Sequence, residues 1–109
     1  MKRKYTVIIY TENATGLLMQ FSNVFTRRNL DIWSIDAGPS QFPGIHRIII
    51  QTEGSDATVS AAVLQLEKKV EVIKAFCYPD ADYMMEDMIS QSRSAVRHFL
   101  ALREEGRQQ

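Results

Sequence analysis

The sequence predicts an α+β fold: a four-stranded antiparallel sheet with two helices on one face, followed by a further amphipathic helix. Three observations point to it. Runs with strand character and runs with helical period follow in the order strand, helix, strand, strand, helix, strand, helix. Val7-Ile8-Ile9 and Ile48-Ile49-Ile50 are apolar without alternation, as expected of strands covered on both faces. The residues after Pro79 carry an apolar stripe at helical spacing, suited to covering the sheet face that two helices leave open.

The first strand, Tyr5 to Tyr10, is rich in β-branched and aromatic residues. Leu17, Leu18, Phe21, Val24 and Phe25 then recur at helical spacing and define a helix from Ala14 to Asn29. Asn13 takes its N-cap, and Arg27-Arg28 suit the negative end of its dipole. In the second strand, Leu30 to Ala37, Ile32 and Trp33 should project from opposite faces. The breaker cluster Gly38-Pro39-Ser40-Gln41-Phe42-Pro43-Gly44 ends it and is too long for a tight hairpin. The third strand covers Ile45 to Glu53, and Gly54-Ser55-Asp56 supplies Ser55 or Asp56 as the cap of a helix over Ala57 to Lys69. That helix presents Val59, Val63, Leu64 and Leu66 toward one side. The fourth strand starts at Val70 or Glu71 and runs to Tyr78, where Pro79 stops it. This βαββαβ order is the ferredoxin-like, or split βαβ, arrangement.

In the last segment, Met85, Met88, Ile89, Ser92, Val96, Phe99, Leu100 and Leu102 form the stripe. A helix from Asp82 to Arg103 would extend about 33 Å at ~1.5 Å per residue. Its polar face mixes Glu86 and Asp87 with Arg93, Arg97 and Arg103, which suits protein packing rather than a membrane surface. The chain therefore divides into a domain over residues 1–79 and a helical extension over residues 80–109.

Composition narrows the function. A chain of 109 residues can bury one core, and its 13 basic and 13 acidic side chains leave no net positive field for nucleic acid or an anionic membrane. The third strand also lacks the stacking aromatics that a βαββαβ RNA-binding sheet needs. The single cysteine, Cys77, permits no internal disulfide and reads as a small core residue. With no apolar run long enough to cross a bilayer and no signal-peptide core, the expected location is cytoplasmic. His46 and His98 have no partners at metal-site spacing, and no nucleophile motif is present, so an enzyme is not expected.

The chemistry concentrates at Thr11-Glu12-Asn13-Ala14-Thr15-Gly16-Leu17-Leu18, where a strand hands over to a helix. A helix N-terminus offers unpaired N–H groups and partial positive charge, and Gly16, lacking a Cβ, lets a ligand come close to the backbone. The same residues equally serve a plain cap and a relief of crowding.

Glu12-Asn13-Ala14-Thr15-Gly16-Leu17-Leu18, Phe25-Thr26-Arg27-Arg28-Asn29-Leu30-Asp31-Ile32 and Pro43-Gly44-Ile45-His46-Arg47-Ile48-Ile49-Ile50 resemble successive blocks of an ACT domain. Among ACT domains they resemble the regulatory small subunit of acetolactate synthase (acetohydroxyacid synthase), from residue 4 to about residue 78. The resemblance implies edge-to-edge pairing of sheets into a homodimer or higher homo-oligomer. It also implies a branched-chain amino acid effector, usually valine, bound at the interface, and an acetolactate synthase catalytic subunit as partner. Thiamine diphosphate, magnesium and FAD belong by that analogy to the catalytic subunit, and no cofactor to this chain.

The resemblance carries over Asn13, Ala14, Thr15, Gly16 and Leu17 as the loop that grips the amino acid. Asp31 stands where the small subunits usually have an asparagine that reaches the effector across the dimer. Asparagine can donate to a carboxylate, whereas an ionised aspartate only accepts: it repels the carboxylate or holds the ammonium group. Asp31 read as a solvated charge at a strand end stays open beside these. Family small subunits also generally continue into a second folded domain, whereas residues 80–109 read as one helix. A piece of a longer subunit, a short subunit and a relative with another target all remain open. The rival to an effector-sensing regulatory subunit is an oligomeric ACT module that acts as an assembly or scaffold protein without an effector.

Overall fold

A computed structural model describes residues 2–108; Met1 and Gln109, the outer ends of the expected domain and its extension, lie outside the described residues. The elements are β1 (Arg3–Thr11), α1 (Ala14–Arg27), β2 (Asp31–Pro39), β3 (His46–Gly54), α2 (Asp56–Glu67), β4 (Val72–Pro79) and α3 (Met85–Gln108). The strands form one sheet in the order β2-β3-β1-β4, every neighbouring pair antiparallel. Order and type of every element agree with the expectation, and the differences lie at boundaries and in the buried face of α2.

Each boundary has a local cause. α1 stops at Arg27 rather than Asn29 because Asn29 turns left-handed at φ 58°. Leu30 N–H donates to Phe25 O at 2.9 Å and Asn29 N–H to Thr26 O at 3.0 Å, the pair of bonds that closes a helix with a Schellman turn. α2 begins after Ser55, whose hydroxyl accepts from Thr58 N–H at 3.2 Å, as the capping pattern predicts. It ends two residues before Lys69 in a turn that leaves Val70 92% exposed, so β4 starts at Val72. Leu64, expected inside, is exposed, because the buried stripe of α2 runs Val59, Ala62, Val63, Leu66. α3 starts at Met85, three residues after Asp82, whose N–H is taken by Pro79 O in a turn at 3.1 Å.

α1 and α2 cover one face. Tyr5, Val7 and Ile9 of β1 and Ile48 and Ile50 of β3 pack there with Leu17, Phe21, Phe25, Val59 and Leu66. Ile32 and Ile35 of β2 are three apart, yet stand opposite Thr52 and Ile50, which share a face. A bulge between Ile32 and Ser34 absorbs the extra residue and turns Trp33 to the other face, under the Lys4 ammonium at 4.9 Å. A second register shift lies between Tyr10 and Thr11, where β4 carries the extra residue Ile73.

α3 lies on the opposite face, over the β1 and β4 side. Met88 and Val96 pack with Ile8, Tyr10 and Ile49, joined by the partly buried Ile73, Phe76, Tyr78, Ile89 and Leu100. Ser92 is fully buried in the same contact, and its hydroxyl meets Tyr10 OH at 3.0 Å. The Lys74 ammonium and the Arg103 guanidinium both lie over the Phe99 ring, at 4.9 and 5.8 Å from its centroid. The ends of the stripe, Met85 and Leu102, are exposed.

Where β3 turns into α2, Gly54 has no room for a side chain: a Cβ would fall on Leu30 Cδ2. Gly54→Ala is therefore expected to destabilise the fold by about 1–3 kcal/mol through overpacking, read as a lower midpoint in urea with an unchanged slope.

Candidate functional site

The β1–α1 junction is held from below. Thr11 is fully buried, and its Oγ1 donates to Glu12 O at 2.9 Å and Glu71 O at 3.1 Å, while Glu12 N–H donates to Glu71 O at 2.9 Å. Ala14 and Leu17 drop their side chains into the core, which fixes the first turn of α1 and leaves Thr15 and Gly16 at the surface.

Asn13 occupies the N-cap position but does not cap with its side chain; it sits left-handed at φ 51°, ψ 45°. Asparagine tolerates this conformation better than other residues with a Cβ. Its carboxamide lies across Gly16, where a Cβ would come within 2.8 Å of Asn13 Nδ2. Gly16 thus makes room for the Asn13 side chain, the relief of crowding left open by the sequence, with Asn13 as the neighbour that needs the space. The first intrahelical bond is Leu17 N–H to Asn13 O at 3.2 Å, so the N–H groups of Ala14, Thr15 and Gly16 precede the helical ladder. Such a turn can hold a carboxylate.

Beside this turn, α1 and β2 bound a groove of about 590 Å³ lined by Thr15, Leu18, Met19, Ser22, Ile35 and Ala37. The Ser22 hydroxyl donates to Leu18 O at 3.1 Å, so the lining is chiefly apolar. Met19 is 75% and Ile35 39% exposed. Sequence reasoning named Thr15, and Leu18 within the junction motif, but missed Met19, Ser22, Ile35 and Ala37; the available signal was Thr15, Leu18, Met19 and Ser22 at i, i+3, i+4, i+7 on a second face of α1.

Asp31 does not join the junction. It begins β2 opposite Glu53, which stands opposite Lys4, whereas the junction lies at Thr11, opposite His46. From the level of Lys4 to that of Thr11 is roughly 23 Å at ~3.3 Å per residue. The structure brings Asn13, Ala14, Thr15, Gly16 and Leu17 together and places Asp31, exposed, at the far end of the sheet.

Other reactive groups stand apart. Burial pushes the Cys77 thiol up to about 11, with Asp56 and Asp80 adding to the shift, so the thiol stays protonated near neutral pH. Among the described residues no three His, Cys, Asp or Glu side chains are grouped to hold a metal, and no helix is long and apolar enough to cross a membrane.

Residues 7–74 match the family model of the AHAS small subunit-like ACT domain. The chain is 34% identical over 71 residues to the probable acetolactate synthase small subunit of Archaeoglobus fulgidus, covering 65% of this chain and 45% of that protein. It is 31% identical over 74 residues to the acetolactate synthase isozyme 3 small subunit of Escherichia coli, covering 68% and 44%. The crystal structure of the acetolactate synthase small subunit from Thermotoga maritima superposes with a TM-score of 0.61 at 35% identity, covering 69% of this chain and 47% of that one. The chain thus spans somewhat less than half the length of these relatives. Sheet order, the β1–α1 turn and the match over residues 7–74 lead to one assignment: the chain belongs to the AHAS small subunit-like ACT domain family.

Proposed function

We propose that this chain is a cytoplasmic, non-catalytic regulatory subunit that binds a branched-chain amino acid, valine foremost, and modulates an acetolactate synthase catalytic subunit. Residues 1–79 form the sensing domain in this reading, and residues 80–109 an extension that closes its sheet. The observation that carries it is the adjacency of two complementary surfaces: N–H groups at the start of α1 for a carboxylate, and the apolar groove beside them for an alkyl side chain.

The groove ends at β2, an outer strand with Trp33 and Ile35 exposed, which supports completion of the site by a second copy. Antiparallel pairing of two β2 strands about Ile35 would set the partner subunit's Asp31 opposite Pro39, at the end of the sheet where α1 begins. In that arrangement Asp31 reaches the effector only across the dimer. Modulation then requires that the effector bind one state of the assembly better than another.

Isothermal calorimetry with valine, leucine and isoleucine tests the reading, and Asp31→Asn resolves the role of the carboxylate. Tighter valine binding by the variant means that Asp31 repels the effector carboxylate; weaker binding means that it holds the ammonium. A hydrogen bond to a charged group contributes about 1.5–3 kcal/mol, so the dissociation constant is expected to move about tenfold or more. If neither protein binds any of the three at millimolar concentration, the sensing role fails. The scaffold reading, favoured by an acidic residue at position 31, then takes its place.

A further inference from the structure

The two edges of the sheet are built differently. Ala75 of β4 stands opposite Ile9, yet its N–H donates away from β1, to Glu67 Oε2 at 3.1 Å. Backbone groups alternate in direction along an antiparallel strand, so Cys77 and Pro79 share the outward row with Ala75. Pro79 has no N–H to give, and Glu67 occupies that of Ala75, which leaves Cys77 as the outward donor of this stretch.

The same alternation crosses the sheet. Ile9 turns its backbone groups toward Ile48, so Ala37, opposite Ile48, and Ile35, opposite Ile50, turn theirs outward from β2. These are two of the residues that line the apolar groove. Pro39, opposite His46, falls in the same outward row and gives no N–H, as Pro79 does on β4; the difference between the edges is that Ile35 and Ala37 turn their N–H groups outward beside an apolar groove, whereas the Ala75 N–H is taken by a carboxylate.

The position of Glu67 strengthens the contrast. It is the last residue of α2, where a negative charge opposes the helix dipole, and the last turn of that helix contains no basic residue. The helix itself gains nothing from an acid there; the bond to the β4 edge is what the side chain does. If both edges were open, each could pair with its own copy, and two self-pairing edges on one sheet propagate without closing.

We propose that Glu67 is an edge guard: it blocks strand addition at β4, so that a second copy of this chain pairs only through β2 and the assembly closes at two. This rests on the β2-edge assembly of the preceding section, and the experiment separates the two. In sedimentation velocity on the full chain, Glu67→Ala should give species heavier than the parent that grow with concentration. Glu67→Gln, whose carboxamide oxygen still accepts, should keep the parent's mass. Ile35→Lys, which puts a charge on the β2 edge, should be monomeric, and adding Glu67→Ala to it should restore a dimer through β4. Circular dichroism matching the parent qualifies each variant as folded. Parental mass for Glu67→Ala at every concentration, or a double variant that stays monomeric, overturns the guard. Parental mass for Ile35→Lys alone overturns pairing through β2 and the assembly reading with it.

Discussion

Removing residues 80–109 is expected to convert the protein into an aggregating species with a melting transition lowered or lost. The deletion takes away α3 and uncovers Ile8, Tyr10 and Ile49, which pack against Met88 and Val96. Full burial of a large apolar side chain is worth about 1.5–3 kcal/mol, so losing the burial of Ile8, Ile49, Met88 and Val96 removes roughly 6–12 kcal/mol before entropy is counted. The whole stability of a small domain is about 5–15 kcal/mol. Tyr10 loses its buried partner Ser92 in addition, and a large exposed apolar face invites association. Thermal melting and sedimentation check this; a truncated protein with the parent's melting point and mass would mean that the helix is dispensable.

Gly16→Val should abolish valine binding at millimolar concentration while leaving the assembly intact. A Cβ at position 16 meets the Asn13 carboxamide at 2.8–3.2 Å, so that side chain must move, and the branched methyls then stand over the N–H groups of the first turn. Gly16 is exposed and has no place in the helix-side core, so folding is expected to change by about 1 kcal/mol or less, in keeping with the small effect of surface substitutions. Calorimetry and sedimentation read the two effects separately. Unchanged affinity would move the effector away from the start of α1.

The order of elements was legible because the apolar periods are unambiguous: Phe21, Val24 and Phe25 can share one face only on a helix, and Ile48-Ile49-Ile50 suits a strand buried on both sides. The bulges at Trp33 and Ile73 were not legible, since an extra residue leaves no compositional mark and is defined by the partner strand. Leu64 misled because hydrophobicity alone ranks it above Ala62, whereas the face of α2 that meets the sheet selects the smaller residue. The junction residues were readable as one contiguous motif. The groove was not, because Thr15, Leu18 and Met19 meet Ile35 and Ala37 only after the chain has run down α1 and back up β2. The separation of Asp31 from Asn13 follows from the same topology.

The Glu71 carbonyl receives both the Thr11 hydroxyl and the Glu12 amide, and two residues further on Ile73 rests among the side chains beneath α3. The loop proposed to accept the effector carboxylate and the helix on the far face are therefore linked through one carbonyl and one short stretch of backbone. Under that proposal, a ligand that drew Asn13 and Gly16 toward itself would load that carbonyl. In the proposed sensing role, the load would be felt on the α3 side of the sheet, opposite the face that takes the effector.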